Sequence, residues 1–280
     1  NEAKGGGGIY NQGSATITNS ILSDNSTPFA GGAIDNTGLL TVESSLFIGN
    51  LGDNSAAIRN TAGSLTLRNS TLTDNSATFT GGAIGNDNFG TPAELIVINS
   101  TIFGNTANNS TRIGGIVNNS ATVIIRNSIV AGNTGDADIA GAFVSNGNNL
   151  IGNVGSASGL TNGVNGDIVG TSASPVDARL GQLADNGGPT STHTPLLDSP
   201  VIDAGNSATA PAVDQRGVTR PVNVTGNIVF LDHDPLSTTA DSAYAVHAAD
   251  LDGDGDLDAL SASQADNTIG WYENEGSGVF

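Results

Sequence analysis

The feature that most constrains this chain is a sentence written more than once. "GGAIDNTGLLTVESSLFIGN" (31–50) returns as "GGAIGNDNFGTPAELIVINSTIFGN" (81–105), with the same residue types in the same order. Self-similarity at a fixed period is the mark of a repeat architecture. Five copies align by column. The Ile after the small residues recurs as Ile9, Ile34, Ile58, Ile84 and Val117, and an Asn follows two positions later: Asn11, Asn36, Asn60, Asn86, Asn119. Two apolar columns at period two come next, Ala15/Leu40/Leu65/Leu95/Val123 and Ile17/Val42/Leu67/Val97/Ile125. The same face is then expected to present Asn19/Ser44/Asn69/Asn99/Asn127, followed by bulky Leu22/Phe47/Leu72/Ile102/Val130 and a last ladder, Asn25/Asn50/Asn75/Asn105/Asn133.

Alternation at period two specifies strands with one buried face. Between the buried positions lies an outer column, Thr18, Glu43, Arg68, Ile98 and Arg126, in which Glu43 and Arg68 are placed to pair across coils. The strands are short and end in Gly, Asn and Asp, which tolerate the positive φ of sharp corners. Such strands cannot cover their own apolar side, so each coil must stack on the next. Coils running in one direction pair their strands in parallel, about 4.8 Å apart. The expectation is an all-β parallel β-helix of five to six coils. Stacked Asn amides would bridge neighbouring coils and satisfy corner backbone groups.

Gly31-Gly32-Ala33-Ile34, Gly81-Gly82-Ala83-Ile84 and Phe47-Ile48-Gly49-Asn50 resemble the GGAI and FxxN repeats of polymorphic outer-membrane proteins and related bacterial surface β-helices. The resemblance covers about residues 5–155; Leu, Ile or Val replaces Phe in the other copies. Further on, Asn186-Gly187-Gly188-Pro189-Thr190, Ser199-Pro200-Val201-Ile202-Asp203-Ala204-Gly205 and Asp214-Gln215-Arg216-Gly217 resemble the closing segment of secreted right-handed β-helix proteins. That likeness implies a right-handed solenoid and a cap over its end within 156–222. Arg216 and Arg220 are expected to pair with Asp203 and Asp214 inside the cap.

The last part changes character. Residues 231–280 hold eleven acids and no Lys or Arg. In "DLDGDGDLD" (250–258), Asp250, Asp252, Asp254, Asp256 and Asp258 crowd five carboxylates together, with Gly253 and Gly255 letting the chain curl. Such a group calls for a hard, oxygen-seeking cation, Ca²⁺. An EF-hand is excluded because its twelfth position is Ser261 and no helical pattern flanks the loop. The stretch "VHAADLDGDGDLDALSASQADNTIGWYENEGSGVF" (246–280) is similar to the FG-GAP-like repeat of integrin-type β-propellers. That resemblance implies calcium held by the side chains of Asp250, Asp252, Asp254 and Asp258 and by the carbonyl of Asp256. A propeller needs about four to eight blades, so 223–280 reads as one partial blade, with Trp271 and Tyr272 as its core aromatics.

Composition excludes several function classes. A net charge of −19, from 8 basic against 27 acidic residues, excludes nucleic acid and anionic membrane surfaces as partners. No apolar run reaches the roughly 18 residues of a membrane span. There is no Cys for a disulfide framework and no Met, so the chain, beginning at Asn1, reads as a monomeric piece of something longer. Catalysis finds weak support. The carboxylates Asp24 and Asp74 share a turn column two coils apart, roughly 9.6 Å by strand spacing, at the upper edge of the inverting-hydrolase range. Asp136 and Asp138 are a second pair that reads as a turn. His193, His233 and His247 lack metal spacing. The sequons, such as Asn69-Ser70-Thr71, arise from a ladder whose Asn side chains are expected to point inward.

The sequence therefore predicts three parts: β-helix repeats over 1–155, a closing segment over 156–222, and a calcium-binding repeat over 223–280. The expected function is a non-catalytic structural and adhesion module of a secreted or cell-surface protein, with a glycan or a surface protein as partner. The alternative is a carbohydrate-active β-helix enzyme, a polysaccharide lyase or hydrolase. Titrating calcium into the protein should give a saturable heat that vanishes in the double variant Asp252→Ala/Asp254→Ala; unchanged calorimetry would defeat the ligand assignment.

Overall fold

The computed structural model describes residues 5–29, 31–79, 81–90, 93–108, 112–220, 243–249, 258–263, 265 and 268–272. They fall into two units, 1–223 and 224–280. In the first unit three long sheets share one core. The first sheet runs Ile9–Asn11, Ile34–Asn36, Ile58–Thr61, Ile84–Asp87, Ile113–Asn119, Ala137–Ala140. The second runs Ser14–Thr18, Leu39–Glu43, Ser64–Arg68, Glu94–Ile98, Thr122–Arg126, Val144–Ser145. The third runs Ile21–Ser23, Leu46–Ile48, Thr71–Thr73, Thr101–Phe103, Ile129–Ala131, Leu150–Ile151, Ile168–Val169. Every pairing within them is parallel, in register such as Leu40↔Leu65 and Leu65↔Leu95. These stacked parallel sheets fit a parallel β-helix.

The core follows the apolar columns. Ile34, Ile58 and Ile84 from the first sheet meet Leu40, Leu65, Leu95 and Val42, Leu67, Val97 from the second and Phe47, Leu72, Ile102 from the third, all fully buried. Each such side chain contributes roughly 1.5–3 kcal/mol by leaving water. Phe143, Leu160 and Val169 join the same cluster beyond the last repeats, so residues 154–169 cover the core there.

Two corners obey one two-residue rule. A residue in the left-handed region comes first: Asn19, Ser44, Asn69, Asn99 and Asn127 at one corner, and Asp24, Gly49, Asp74, Gly104 and Gly132 at the other, all with φ between 47° and 70°. The next residue points inward and accepts hydrogen bonds from the coil before it. At the second corner the Oδ1 of Asn50, Asn75, Asn105 and Asn133 takes both the backbone N–H and the Nδ2 of the preceding Asn, at 2.8–3.1 Å. This is the expected ladder. At the first corner the inward residue is serine. The Oγ of Ser45, Ser70, Ser100 and Ser128 accepts the N–H of Ser20, Ser45, Ser70 and Ser100 at 3.1–3.2 Å. The Asn19/Ser44/Asn69/Asn99/Asn127 column, expected inward, faces outward, because a left-handed residue at the corner turns its side chain away from the core.

The fifth copy also differs from expectation. Ile84 pairs with Ile116 and Asn86 with Asn118, so the inward residues there are Ile116 and Asn118, not Val117 and Asn119. Both choices keep an apolar residue two positions before an Asn, and the following turn absorbs the odd residue. A one-residue slip exchanges the faces, and it is Ile116 that is fully buried.

Of the closing segment expected over 156–222, the part up to 169 covers the end of the core, while the rest lies along a flank. Leu180–Ala184 and Thr192–Pro195 form an antiparallel hairpin, and 180–220 covers the outer face of the third sheet. Thr71 and Thr73 face outward there yet are only 1% exposed. The outer residues Ile129, Ala131, Leu150 and Ile168 pack with Val176, Ala178, Leu180 and Val201. In the second unit Ala243–Ala249, Asp258–Ser263 and Thr268–Tyr272 form an antiparallel sheet. Trp271, expected in a core, is 51% exposed.

Asn50→Leu removes the acceptor for the N–H and Nδ2 of Asn25. The protein should lose about 1–3 kcal/mol of stability, read from denaturant melts; an unaltered melt would mean the ladder carries no load.

Candidate functional site

The two sequence-derived carboxylate pairs can be located; the calcium site cannot. Of the calcium candidates, Asp250, Asp252, Asp254 and Asp256 lie outside the described residues, and of Asp258 only the backbone is described, opening its strand opposite Ala249. Among the described residues no three metal-ligating side chains come together. Asp24 and Asp74 occupy the left-handed corner column; their carboxylates are exposed on the turns. Asp136 and Asp138 part company. Asp136 is exposed, while Asp138 is buried and ends the asparagine ladder, its Oδ1 accepting the N–H and Nδ2 of Asn133 at 2.9 and 2.8 Å and its Oδ2 the N–H of Asn153 at 2.7 Å. Burial raises its pKa despite those donors. Asp167 ends the serine ladder in the same manner, through Asn149.

The flank segment is held by the outward corner column. Asn69 donates to the Val213 carbonyl at 3.0 Å; Asn127 exchanges hydrogen bonds with the backbone of Asn206; Asn148 donates to the Ala204 carbonyl at 2.8 Å. Gln215 bonds Thr71 at 2.8 Å, and His193 reaches Thr73 at 3.1 Å and packs edge-on against Phe103. Arg216 pairs with Asp214 at 2.7 Å, as expected. Arg220 donates to the carbonyls of Pro211 and Val213 and to Asn69. The cavities beneath the segment, such as the one of about 310 Å³ lined by Asn99, Asn127, Asp203 and Arg220, are gaps in this docking. The sequon residue Asn69 thus points outward, as the ladder reading did not foresee, but is buried by the segment it binds. Arg68 and Glu43 meet at 2.6 Å on the second sheet.

One charged group lies apart from both the ladders and the docked segment. On the outer face of the first sheet, Tyr10, Asp35, Arg59 and Gly85 stand in register on successive strands. Asp35 is 7% exposed, and its Oδ1 is buried without a hydrogen-bond partner. Burial raises the Asp35 pKa; Arg59 beside it opposes the rise and Asp87 adds to it. Arg59 Nε lies 3.4 Å from Asp87 Oδ2, and Asp87 Oδ1 accepts from Asn119 Nδ2 at 2.6 Å. The guanidinium also sits 5.4 Å from the ring centre of Phe89. Reading the repeat for its buried columns missed this group. The signal was the one variable position inside the "AI-x-N" motif: Asp35, Arg59, Gly85.

Comparison of the chain with protein-family models, curated proteins and solved structures finds no match. The chemistry of these sites rests on the residues alone.

Asp214 carries a testable sign. Burial pushes its pKa up, but the Arg216 side chain and the N–H groups of Val218 and Arg216 outweigh it, leaving the carboxyl below its ordinary value. A depressed carboxylate contributes stability above its unfolded pKa of about 3.9, lost as pH falls through the folded value. Wild type should exceed Asp214→Asn by up to about 1 kcal/mol at neutral pH, as partly exposed pairs do, with the gap closing below about pH 4. A gap that persists in acid would exclude the pairing as its source.

Proposed function

We propose that this chain is a non-catalytic structural and adhesion module of a larger secreted or cell-surface protein. A right-handed β-helical stalk of five to six coils, related to the GGAI/FxxN surface proteins, would present its faces to a partner. An FG-GAP-like repeat, the beginning of a propeller, would bind calcium through Asp250, Asp252, Asp254, Asp256 and Asp258. The observation that carries this reading is the fate of the candidate carboxylates. Asp24 and Asp74 serve corners, Asp138 and Asp167 end ladders, and Asp214 pins a turn. Hydrolysis needs two carboxylates facing one bond across a set gap; Asp138, Asp167 and Asp214 are instead committed to structural hydrogen bonds, and Asp24 and Asp74 stand on separate corner turns with a coil between them.

A carbohydrate-active enzyme is the second reading, and Asp35 favours it: a desolvated carboxyl with a raised pKa suits a general acid. Its nearest acidic neighbour in the group, Asp87, is already held by Arg59 and Asn119. Incubating the protein and calcium with soluble polysaccharides, then chromatographing the supernatant, separates the two. The module reading predicts no new oligosaccharides; their appearance would overturn it.

A further inference from the structure

The group around Asp35 is built, and its construction points to a ligand. Asp35 alternates with Ile34 and Asn36, which face the core, so its side chain emerges on the outer face of the first sheet. An outward carboxylate is ordinarily wet. This one is buried because the run Gly5–Gly8 crosses directly over its strand. A Cβ at Gly6 would lie 1.9 Å from the Ile9 carbonyl oxygen and 2.5 Å from the Asp35 nitrogen, so only glycine passes there. Gly31 crosses in the same way, its Cβ position 2.7 Å from the Arg59 nitrogen. The result is a desolvated carboxyl whose Oδ1 has no donor and which only the neighbouring charge of Arg59 compensates, a costly arrangement. Thr61, directly opposite Asp87 in the sheet, holds a second buried oxygen without a partner.

Asp35 keeps a 7% opening to the surface, and what would bind its carboxyl there follows from the charges. An anion is repelled by Asp35 and Asp87. A metal ion or ammonium is repelled by Arg59, which stands between them, and no third metal-ligating side chain joins the two carboxylates. A neutral hydroxyl donor meets neither objection. The surroundings add a second requirement. Tyr10, in register beside Asp35, is 52% exposed, and Phe89, under the Arg59 guanidinium, is 65% exposed. Phe29 and Phe79 stand exposed in the turns leading into the strands of Asp35 and Gly85, two coils and roughly 9.6 Å apart by strand spacing. Exposed aromatic rings interleaved with fixed polar groups suit a ligand with flat apolar faces and hydroxylated edges. Their repetition along the stacking direction suits a chain of such rings.

We propose that the outer face of the first sheet is a binding site for a neutral polysaccharide, with Asp35 accepting sugar hydroxyls and Tyr10 and Phe89 packing on ring faces. Arg59 and Asp87 hold each other and orient the site. This deepens the adhesion reading, on which it rests, by naming the ligand class.

The test is affinity electrophoresis of the whole chain through gels containing soluble neutral glucan, mannan, xylan or glucomannan, with polygalacturonate as the charged control. At least one neutral polymer should retard the protein, and the dissociation constant from calorimetry with that polymer should weaken at least tenfold in Asp35→Ala and in Tyr10→Ala. Asp35→Ala should melt no lower than wild type, because it removes an unpartnered buried oxygen. Retardation by polygalacturonate alone, by no polymer, or equally in wild type and both variants would overturn the site. If a retarding polymer is also cut, and Asp35→Ala abolishes both effects, the site stands while the non-catalytic reading falls.

Discussion

Everything in the first unit depends on hydrogen bonds that pass from one coil's corner backbone to the next coil's side chain. A parallel stack leaves corner N–H groups without a ladder partner, and buried donors must find acceptors. Here one side-chain oxygen per corner per coil does so. The bonds are polar in direction: each donor lies in the earlier coil and each acceptor in the later one. A chain of that sense must end in a group that accepts without needing to donate onward. A carboxylate is such a group, and both corner ladders end in one, at Asp138 and Asp167. The third ladder, from Asn11 to Asn118, ends by donating to the Ala142 carbonyl. Asp138, half of a carboxylate pair that the sequence offers, is therefore a terminator, as is Asp167.

The same corners organise the outside. Placing serine or asparagine inward sends the preceding left-handed residue outward, and those Asn side chains become the row on which 180–220 docks. That segment covers a third sheet whose outer face is partly apolar, with Ile48, Phe103, Ile129 and Leu150 among outward threonines. The first sheet has the opposite arrangement. Its outer face carries Tyr10, Asp35 and Arg59, with Gly6 passing over the Asp35 backbone, Gly31 over that of Arg59, and Ser55 over Gly85. One flank is covered by the chain; the other is the face proposed for a neutral polysaccharide.

Much of this was legible. Apolar columns at period two located the core, and the Asn25-to-Asn133 ladder needed only the idea of stacking. What failed was the direction of side chains where the alternation breaks. A left-handed corner residue reverses the face that follows it, so "NS" was read with Asn inward when Ser is. In the fifth copy Ile116 and Val117 both fit the spacing, and packing alone separates them. The destination of 180–220 was hidden because its partners are 56 to 170 residues away. A hint was available in "LFI" and "TIFG" (46–48, 101–104), which offer apolar side chains to both faces. Asp35 was passed over because the repeat was read for what recurs, and this residue varies.

Native-state hydrogen exchange at individual amides tests the central claim most directly. The N–H groups of Ser45, Ser70, Asn50 and Asn75 donate to side chains of the next coil, not to strands. They should exchange only through global unfolding, as slowly as the strand amides of Leu40 and Leu65. Exchange at the rate of exposed turns would mean that the ladders open freely and that apolar burial alone holds the stack.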